Sequence, residues 1–334
     1  MALVLITLLS LYTKSWDSMA TAIVIGSINV DFTIYLEKFP GIDETVSDGV
    51  YEIHFGGKGA NQAVGLARLG SRVYMIGKVG MDSLGDMATE NLKRNGVYVD
   101  HIARSGEAHT GTAFILVNRE GSTMIAVAPG ANRHLAPEEV ERAIRSIGYA
   151  DIVLTQLEIP IETVARVSQL CEEVGARLVL TPSPAKKIPR DILRRTHTII
   201  PNRIEIFRII GKEPKPNPGE KELAEAAREL LESGVENIVI TLGEKGAAYY
   251  DRERGSLTIV PSIKPERVVD TTGAGDSFTA CYSYAIASRK SILDAIRMGN
   301  ICASIKITRK GAQNGMPRLD DVRRALEAIG ARTQ

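Results

Sequence analysis

The sequence predicts an α/β protein in which a central, mostly parallel sheet is flanked by helices, with a small antiparallel β lid. Three observations predict this. Short apolar runs recur along the chain. Amphipathic segments of helical period alternate with them. Two stretches with period-two alternation and turn residues interrupt that rhythm.

The apolar runs read as strands are Ala22–Ile28, Arg72–Val79, Asp151–Gln156, Arg177–Thr181, Thr198–Pro201 and Asn237–Leu242. The helical segments between them fall near 58–69, 83–95, 137–147, 161–174, 219–233, 275–288 and 291–308. The interrupting stretches are Phe32–His54 and His101–Val127, so lid strands are placed within 32–55 and 101–127. A projecting sheet of this kind can close over a site. Its exposed edge can also pair with a second subunit.

Residues 1–18 are set apart. Leu3–Leu11 is almost wholly apolar but too short to span a bilayer. No Lys or Arg precedes it, and cleavage after Ala22 would cut the first strand, which argues against a secretory signal. Met19 reads as a second start and 1–18 as a disordered extension, leaving 19–334 as one α/β domain.

Composition limits the function classes. With 44% hydrophobic residues the chain can build a large core and is not disordered. The 41 basic and 40 acidic residues leave a formal charge of +1, so no electrostatic footprint for nucleic acid exists. Three cysteines, Cys171, Cys281 and Cys302, form an odd set without C-x-x-C spacing. They predict a reducing, cytoplasmic setting with no disulfide framework and no cysteine-based zinc site. The five histidines share no metal-ligand spacing either.

The strongest chemical signal is Asp270-Thr271-Thr272-Gly273-Ala274-Gly275-Asp276-Ser277-Phe278, at the start of an apolar helix. Glycines there free the backbone to present N–H groups in one direction, and the helix dipole adds positive potential. An acidic residue in a first helical turn is common for stability alone. That explains one carboxylate, but not a Gly-Ala-Gly-Asp run ahead of a buried helix. A carboxylate beside an anion hole suits phosphoryl transfer to an alcohol, which needs a base and preset positive dipoles. The G-x-x-x-x-G-K-[ST] phosphate loop is absent, and the first strand ends in Gly26-Ser27-Ile28-Asn29 without a dinucleotide fingerprint.

A second signal is Phe55-Gly56-Gly57-Lys58-Gly59-Ala60-Asn61, three glycines in four residues before a helix. It can act as a lid hinge, and it lets a polyhydroxylated ligand approach the backbone. Asn61 both donates and accepts hydrogen bonds, as sugar hydroxyls require. Asn29, Asp31 and Glu158 follow strands directly, the end at which α/β sheets bind ligands, although Asn and Asp are also ordinary turn residues there.

Together Gly26–Asp31, Gly56–Asn61, Asp270–Asp276 and Thr308–Gln313 resemble the ribokinase-like family of carbohydrate and nucleoside kinases, from about Ala22 to Gly330. The resemblance implies ATP-dependent phosphorylation of the primary (5-)hydroxyl of D-ribose. Other acceptors on the same fold are a nucleoside or ribose 1-phosphate. It implies Asp276 as the base and the Gly273, Ala274 and Gly275 backbone as the anion hole. Asn29, Asp31, Gly57, Lys58, Asn61 and Glu158 match sugar-binding positions. Asn202, Thr241, Gly243, Gly246, Gly275 and Asn300 match nucleotide-binding ones. Glu205 falls in the Mg²⁺ region, and Asp270, Thr272, Lys306 and Gly311 at or beside the loops for a monovalent cation such as K⁺. A homodimer through the lid, a cytoplasmic location and no membrane or nucleic-acid partner complete the implied picture. Two departures bear on the cation. Gly315 stands where a small hydroxyl residue is frequent, and Lys306 brings an ammonium to the same loop.

Overall fold

The computed structural model describes residues 19–214 and 217–332. The extension expected at 1–18 lies outside the described residues.

Among the described residues, nine strands form the large sheet: β1 (Thr21–Ile25), β4 (Arg72–Gly80), β5 (Val97–Ser105), β8 (Ile152–Gln156), β9 (Arg177–Thr181), β10 (Thr198–Ile199), β11 (Asn237–Thr241), β12 (Ala247–Asp251) and β13 (Ser256–Val260). Their order is β13-β12-β11-β10-β9-β8-β1-β4-β5. The seven strands from β11 to β5 run parallel, and β12 and β13 add an antiparallel edge.

Alternation along β1 shows how the sheet is covered. Ala22 and Val24 face one apolar core and Ile23 and Ile25 the other. Helices α1 (Lys58–Arg68), α2 (Ser83–Arg94), α8 (Ala274–Ala287), α9 (Ile292–Lys306) and α11 (Leu319–Arg332) supply the first core. Helices α3 (Pro137–Ile147), α4 (Ile161–Val174), α5 (Arg190–Leu193), α6 (Glu205–Ile209) and α7 (Glu220–Glu232) supply the second. A short α10 (Ala312–Gly315) precedes α11. Helices on both faces bury the central parallel strands β1, β8, β9, β10 and β11 almost completely, which is why those strands read as apolar runs, whereas β5 at the sheet edge is partly exposed and does not.

The second sheet contains β2 (Asn29–Tyr35), β3 (Val50–Gly56), β6 (Gly111–Val117) and β7 (Thr123–Ala128), in the order β3-β2-β6-β7. Its outer pairs are antiparallel, and its central pair, β2 with β6, is parallel. His101 belongs instead to β5 at the edge of the large sheet, so the stretch His101–Val127 is shared between the two sheets.

The expectation of no disulfide is corrected. Cys281 on α8 and Cys302 on α9 are joined, and Cys171 alone is free and buried. Their sequence separation of 21 carries no recognisable spacing. Residues 288–291 turn α8 into α9, and that packing brings the two sulfurs together. No helix among the described residues is long and apolar enough to cross a membrane.

Candidate active site

The site forms where the carboxyl end of β1 meets the starts of α1 and α8. Helix α1 begins against the loop after β1, with the Ala60 N–H donating to the Ser27 carbonyl at 2.9 Å. Gly57 makes that approach possible. Its φ is +85°, and a Cβ there would lie 2.7 Å from the Ser27 carbonyl oxygen and 2.8 Å from the Asn29 nitrogen. The first turn of α1 therefore sets Lys58, Asn61 and Gln62 beside the strand end.

Helix α8 brings Asp276 to the same place. Gly273 caps the helix in the left-handed region and Asp276 sits in the first turn. The Asp276 carboxylate is buried. One oxygen accepts from Asn61 Nδ2 at 2.8 Å and the other from Gln62 Nε2 at 3.1 Å. Gln62 is itself fixed, because its Oε1 accepts from Gln156 Nε2 at 2.7 Å. Burial raises the pKa of Asp276 above the usual carboxylate range, although the Lys58 charge and the two amides oppose that shift. A carboxylate held this way is oriented and is a stronger proton acceptor than one in water.

Lys58 carries the balancing charge. Burial works against its ammonium, but attraction by Asp276, Glu158 and Glu205 outweighs it and the pKa is raised. Glu158 accepts from the Ser27 hydroxyl, and its Oε2 also accepts from the Lys58 N–H at 3.3 Å. In front of α8 the backbone is open: a Cβ built on Gly275 meets nothing within 4 Å. The neighbouring Ala274 N–H already donates to the Thr271 carbonyl at 3.1 Å.

Asn29 and Asp31 lie on β2, the lid strand that follows β1 almost at once. Asn29 Oδ1 accepts from Asn132 Nδ2 at 2.8 Å. Burial, reinforced by the charge of Glu158, pushes the Asp31 pKa up to about 7. Asp31 Oδ1 is buried without a hydrogen-bond partner among the described residues, as is Asn61 Oδ1. Unmatched acceptors in a polar cleft are suited to ligand hydroxyls.

The positions expected for nucleotide lie along the neighbouring strand ends. Asn202 and Glu205 form a reciprocal cap on α6. Asn202 Oδ1 accepts from the Glu205 N–H at 2.8 Å, and Glu205 Oε2 accepts from the Asn202 N–H at 2.8 Å. Their N-x-x-E spacing thus has a structural cause, while the Glu205 charge still reaches Lys58. Asn202 bridges to Thr241, at the end of β11. Gly243 and Gly246 make the turn from β11 into β12. Asn300 is buried and donates to the Val260 and Pro261 carbonyls at 2.9 and 3.1 Å, which fixes the chain after β13.

Asp270, Thr272, Lys306 and Gly311 also come together. The Asp270 carboxylate accepts from the Thr272 and Gly311 N–H groups, each at 2.8 Å. Lys306 is not an oxygen donor here. Its fully buried ammonium donates to the Asp270 carbonyl at 2.7 Å and the Arg309 carbonyl at 3.3 Å. Among the described residues no group of three His, Cys, Asp or Glu side chains could hold a metal ion.

Four residues around the site escaped the sequence reading: Ser27, Gln62, Asn132 and Gln156. Gln62 and Gln156 had a usable signal, since each is an amide inside a run that otherwise reads as core. Asn132 had none. It lies in the 3₁₀ turn Gly130–His134, accepts from the Ile28 N–H at 2.9 Å, and donates to the Pro129 carbonyl at 3.0 Å.

The chain as a whole is similar to known sugar kinases. Ribokinase of Haemophilus influenzae is 35% identical over 307 residues, spanning 92% of this chain and 98% of that protein. Ribokinase of Bacillus subtilis is 36% identical, spanning 91% and 98%. Among solved structures, Arabidopsis thaliana ribokinase complexed with ribose and ATP superposes with a TM-score of 0.86 at 30% identity, covering 92% of this chain and 99% of that one. Residues 19–319 match the pfkB family of carbohydrate kinases, and on that match, with these relatives, the chain belongs to that family and is a sugar kinase.

Proposed function

We propose that this kinase transfers the γ-phosphoryl group of ATP to the primary hydroxyl of D-ribose, giving ribose 5-phosphate. One observation carries the reading: a buried, hydrogen-bonded Asp276 carboxylate with a raised pKa stands beside the open backbone of Gly275. The relatives named ribokinase and the neighbour holding ribose and ATP support the choice of acceptor and donor.

In this reading Asp276 takes the proton of the sugar hydroxyl as that oxygen bonds to the γ-phosphorus. The bond from the phosphorus to the β-γ bridging oxygen breaks, and ADP leaves with the electron pair. The Gly273, Ala274 and Gly275 backbone and the dipole of α8 stabilise charge on the transferring group. Asn29, Asp31, Gly57, Lys58, Asn61 and Glu158 hold the sugar, with the open acceptors of Asp31 and Asn61 taking its hydroxyl protons. Asn202, Thr241, Gly243, Gly246 and Asn300 border the nucleotide. Mg²⁺ belongs with the nucleotide, whose phosphates supply most of its ligands, and Glu205 is the acidic side chain placed to assist. When bound, it neutralises phosphate charge. Phosphorylation of ribose, nucleosides and ribose 1-phosphate with ATP and with ADP, scored by product, tests the assignment. Faster turnover of a nucleoside than of ribose would overturn it.

The lid sheet leaves Tyr51, Ile53, Phe114, Met124, Ile125 and Val127 exposed. An apolar surface of this kind fits a homodimer formed lid to lid. Equilibrium sedimentation of the wild type and Ile125→Lys checks this, and a wild type that stays monomeric at all concentrations rules it out. A cytoplasmic location is the setting in which both proposed substrates occur, and fractionation of the source cells tests it.

A further inference from the structure

We infer that the Lys306 ammonium is a built-in monovalent cation, standing where the family resemblance places K⁺, so that this kinase works without one. The inference rests on the kinase reading above but concerns a separate part of the fold.

The Lys306 side chain has no exposed surface. A lysine is almost never buried this completely unless its charged end is matched. Here the match consists of two backbone carbonyls, those of Asp270 and Arg309, with Asp270 Oδ2 at 3.7 Å. Backbone carbonyls and a carboxylate are the oxygen types that hold a bare alkali cation. An added monovalent ion among these oxygens would meet a fixed like charge at short range.

Gly315 completes the fit. A Cβ at that position would lie 3.0 Å from Lys306 Cε and 3.3 Å from the Arg309 carbonyl oxygen. A hydroxyl residue would crowd the lysine stem, and glycine leaves it room. The residue that could have lent a cation another oxygen is thus the one whose side chain is missing where the lysine enters.

The ammonium also does structural work that a bound cation would do. Asp270 begins the strap that leads to Gly273 and Asp276, and its carboxylate fixes the Thr272 and Gly311 N–H groups. The Val269 and Asp270 N–H groups both donate to the Ile307 carbonyl. Just beyond, Lys310 Nζ donates to Glu52 at 2.7 Å and Gln313 Nε2 to the Gly56 carbonyl at 3.3 Å, both on lid strand β3. Lys306 therefore acts as a positioning residue between the strap before Asp276 and the segment that holds the lid.

The test compares turnover and thermal unfolding in KCl, NaCl and tetramethylammonium chloride at matched ionic strength. For the wild type we expect kcat/KM to vary by less than about twofold and the unfolding midpoint to be the same in K⁺ as in tetramethylammonium, because an ion that does not bind the native state does not stabilise it. Lys306→Ala should lose about ten- to a hundredfold in kcat/KM, the effect of removing charged hydrogen bonds to buried acceptors. K⁺ or NH₄⁺ should restore part of that loss and raise the midpoint of this variant alone. A wild type activated several-fold by K⁺, or stabilised by it over tetramethylammonium, would overturn the inference. That comparison needs no variant, so it decides the matter even if Lys306→Ala does not fold. Absence of phosphorylation in every salt would count against the kinase assignment, and the unfolding comparison would still decide the cation question.

Discussion

Replacement of Asp276 by asparagine separates the proposed role as base from the scaffold that holds the side chain. Asn61 and Gln62 each donate an amide N–H to the carboxylate, at 2.8 and 3.1 Å. An asparagine offers one acceptor and one donor, so one of the two amides must adapt. Gln62 is held by the Gln156 donation to its Oε1. Asn61 is free to turn over, since its Oδ1 is a buried acceptor with no partner and can receive the new N–H. Rotation of one side chain thus repairs the network.

Charge points the same way. The folded pKa of Asp276 is raised, so its ionised form is disfavoured in the native state and stability falls as pH rises from the unfolded value through the folded one. Asparagine removes that loss, and the variant should melt at or above the wild-type temperature at neutral pH. A positioned base contributes about 10²–10⁴-fold, or about 3–5 kcal/mol of barrier. We therefore expect Asp276→Asn to lose that much kcat and about 0.5–1.5 kcal/mol of ribose affinity, the one hydrogen bond that the turned Asn61 withdraws from the sugar, measured by coupled ADP release and by calorimetric titration with ribose. Activity within about tenfold of wild type would refute the role of the base. A large fall in melting temperature would refute the repair by Asn61.

Asp31 has its pKa pushed up to about 7, so ionisation of its carboxylate costs the native state stability that is lost as pH rises through that value. Asp31→Asn should flatten the pH dependence of unfolding between about 4 and 7, and a ribose KM that falls with rising pH in the wild type should lose that trend. Asn132→Ala leaves Asn29 Oδ1 and the Ile28 N–H without their partner. It should cost about 1–3 kcal/mol in urea unfolding and raise the ribose KM. The unfolded, unreduced chain should titrate as one thiol, Cys171, and as three after reduction. Cys281→Ala should lower stability by about 3 kcal/mol, from the chain entropy that the cross-link removes.

How much of this was legible in the sequence depends on the range of the interaction. Strand β9 begins and ends where the apolar run Arg177–Thr181 does, because a parallel strand buried through its centre is written in consecutive residues. The start of α8 was equally legible, since Gly-Ala-Gly-Asp is a local backbone device. β12 and β13 passed unread, being a short hairpin at the sheet edge in which neither strand alternates cleanly and only the outer one, β13, is half exposed. Gln62 and Gln156 each stand out as an amide in an apolar run, but that they pair, 94 residues apart, is visible only in the fold. The disulfide needed the packing of α8 on α9 before its cysteines could be paired. The N-x-x-E of Asn202 and Glu205 was legible as a pattern, but a helix cap and an ion site share that spacing, and only the hydrogen bonds reveal the cap.

β2 leaves β1 after only residues 26–28, and it carries Asn29 and Asp31 on the lid sheet, whereas Asp276 stands on a helix of the body. A ligand that touches all three must join the lid sheet to a helix of the body, as a clasp joins two plates. The acceptor then becomes part of the joint that brings its hydroxyl to the carboxylate. A molecule too small to reach both sides, water among them, would leave the clasp undone.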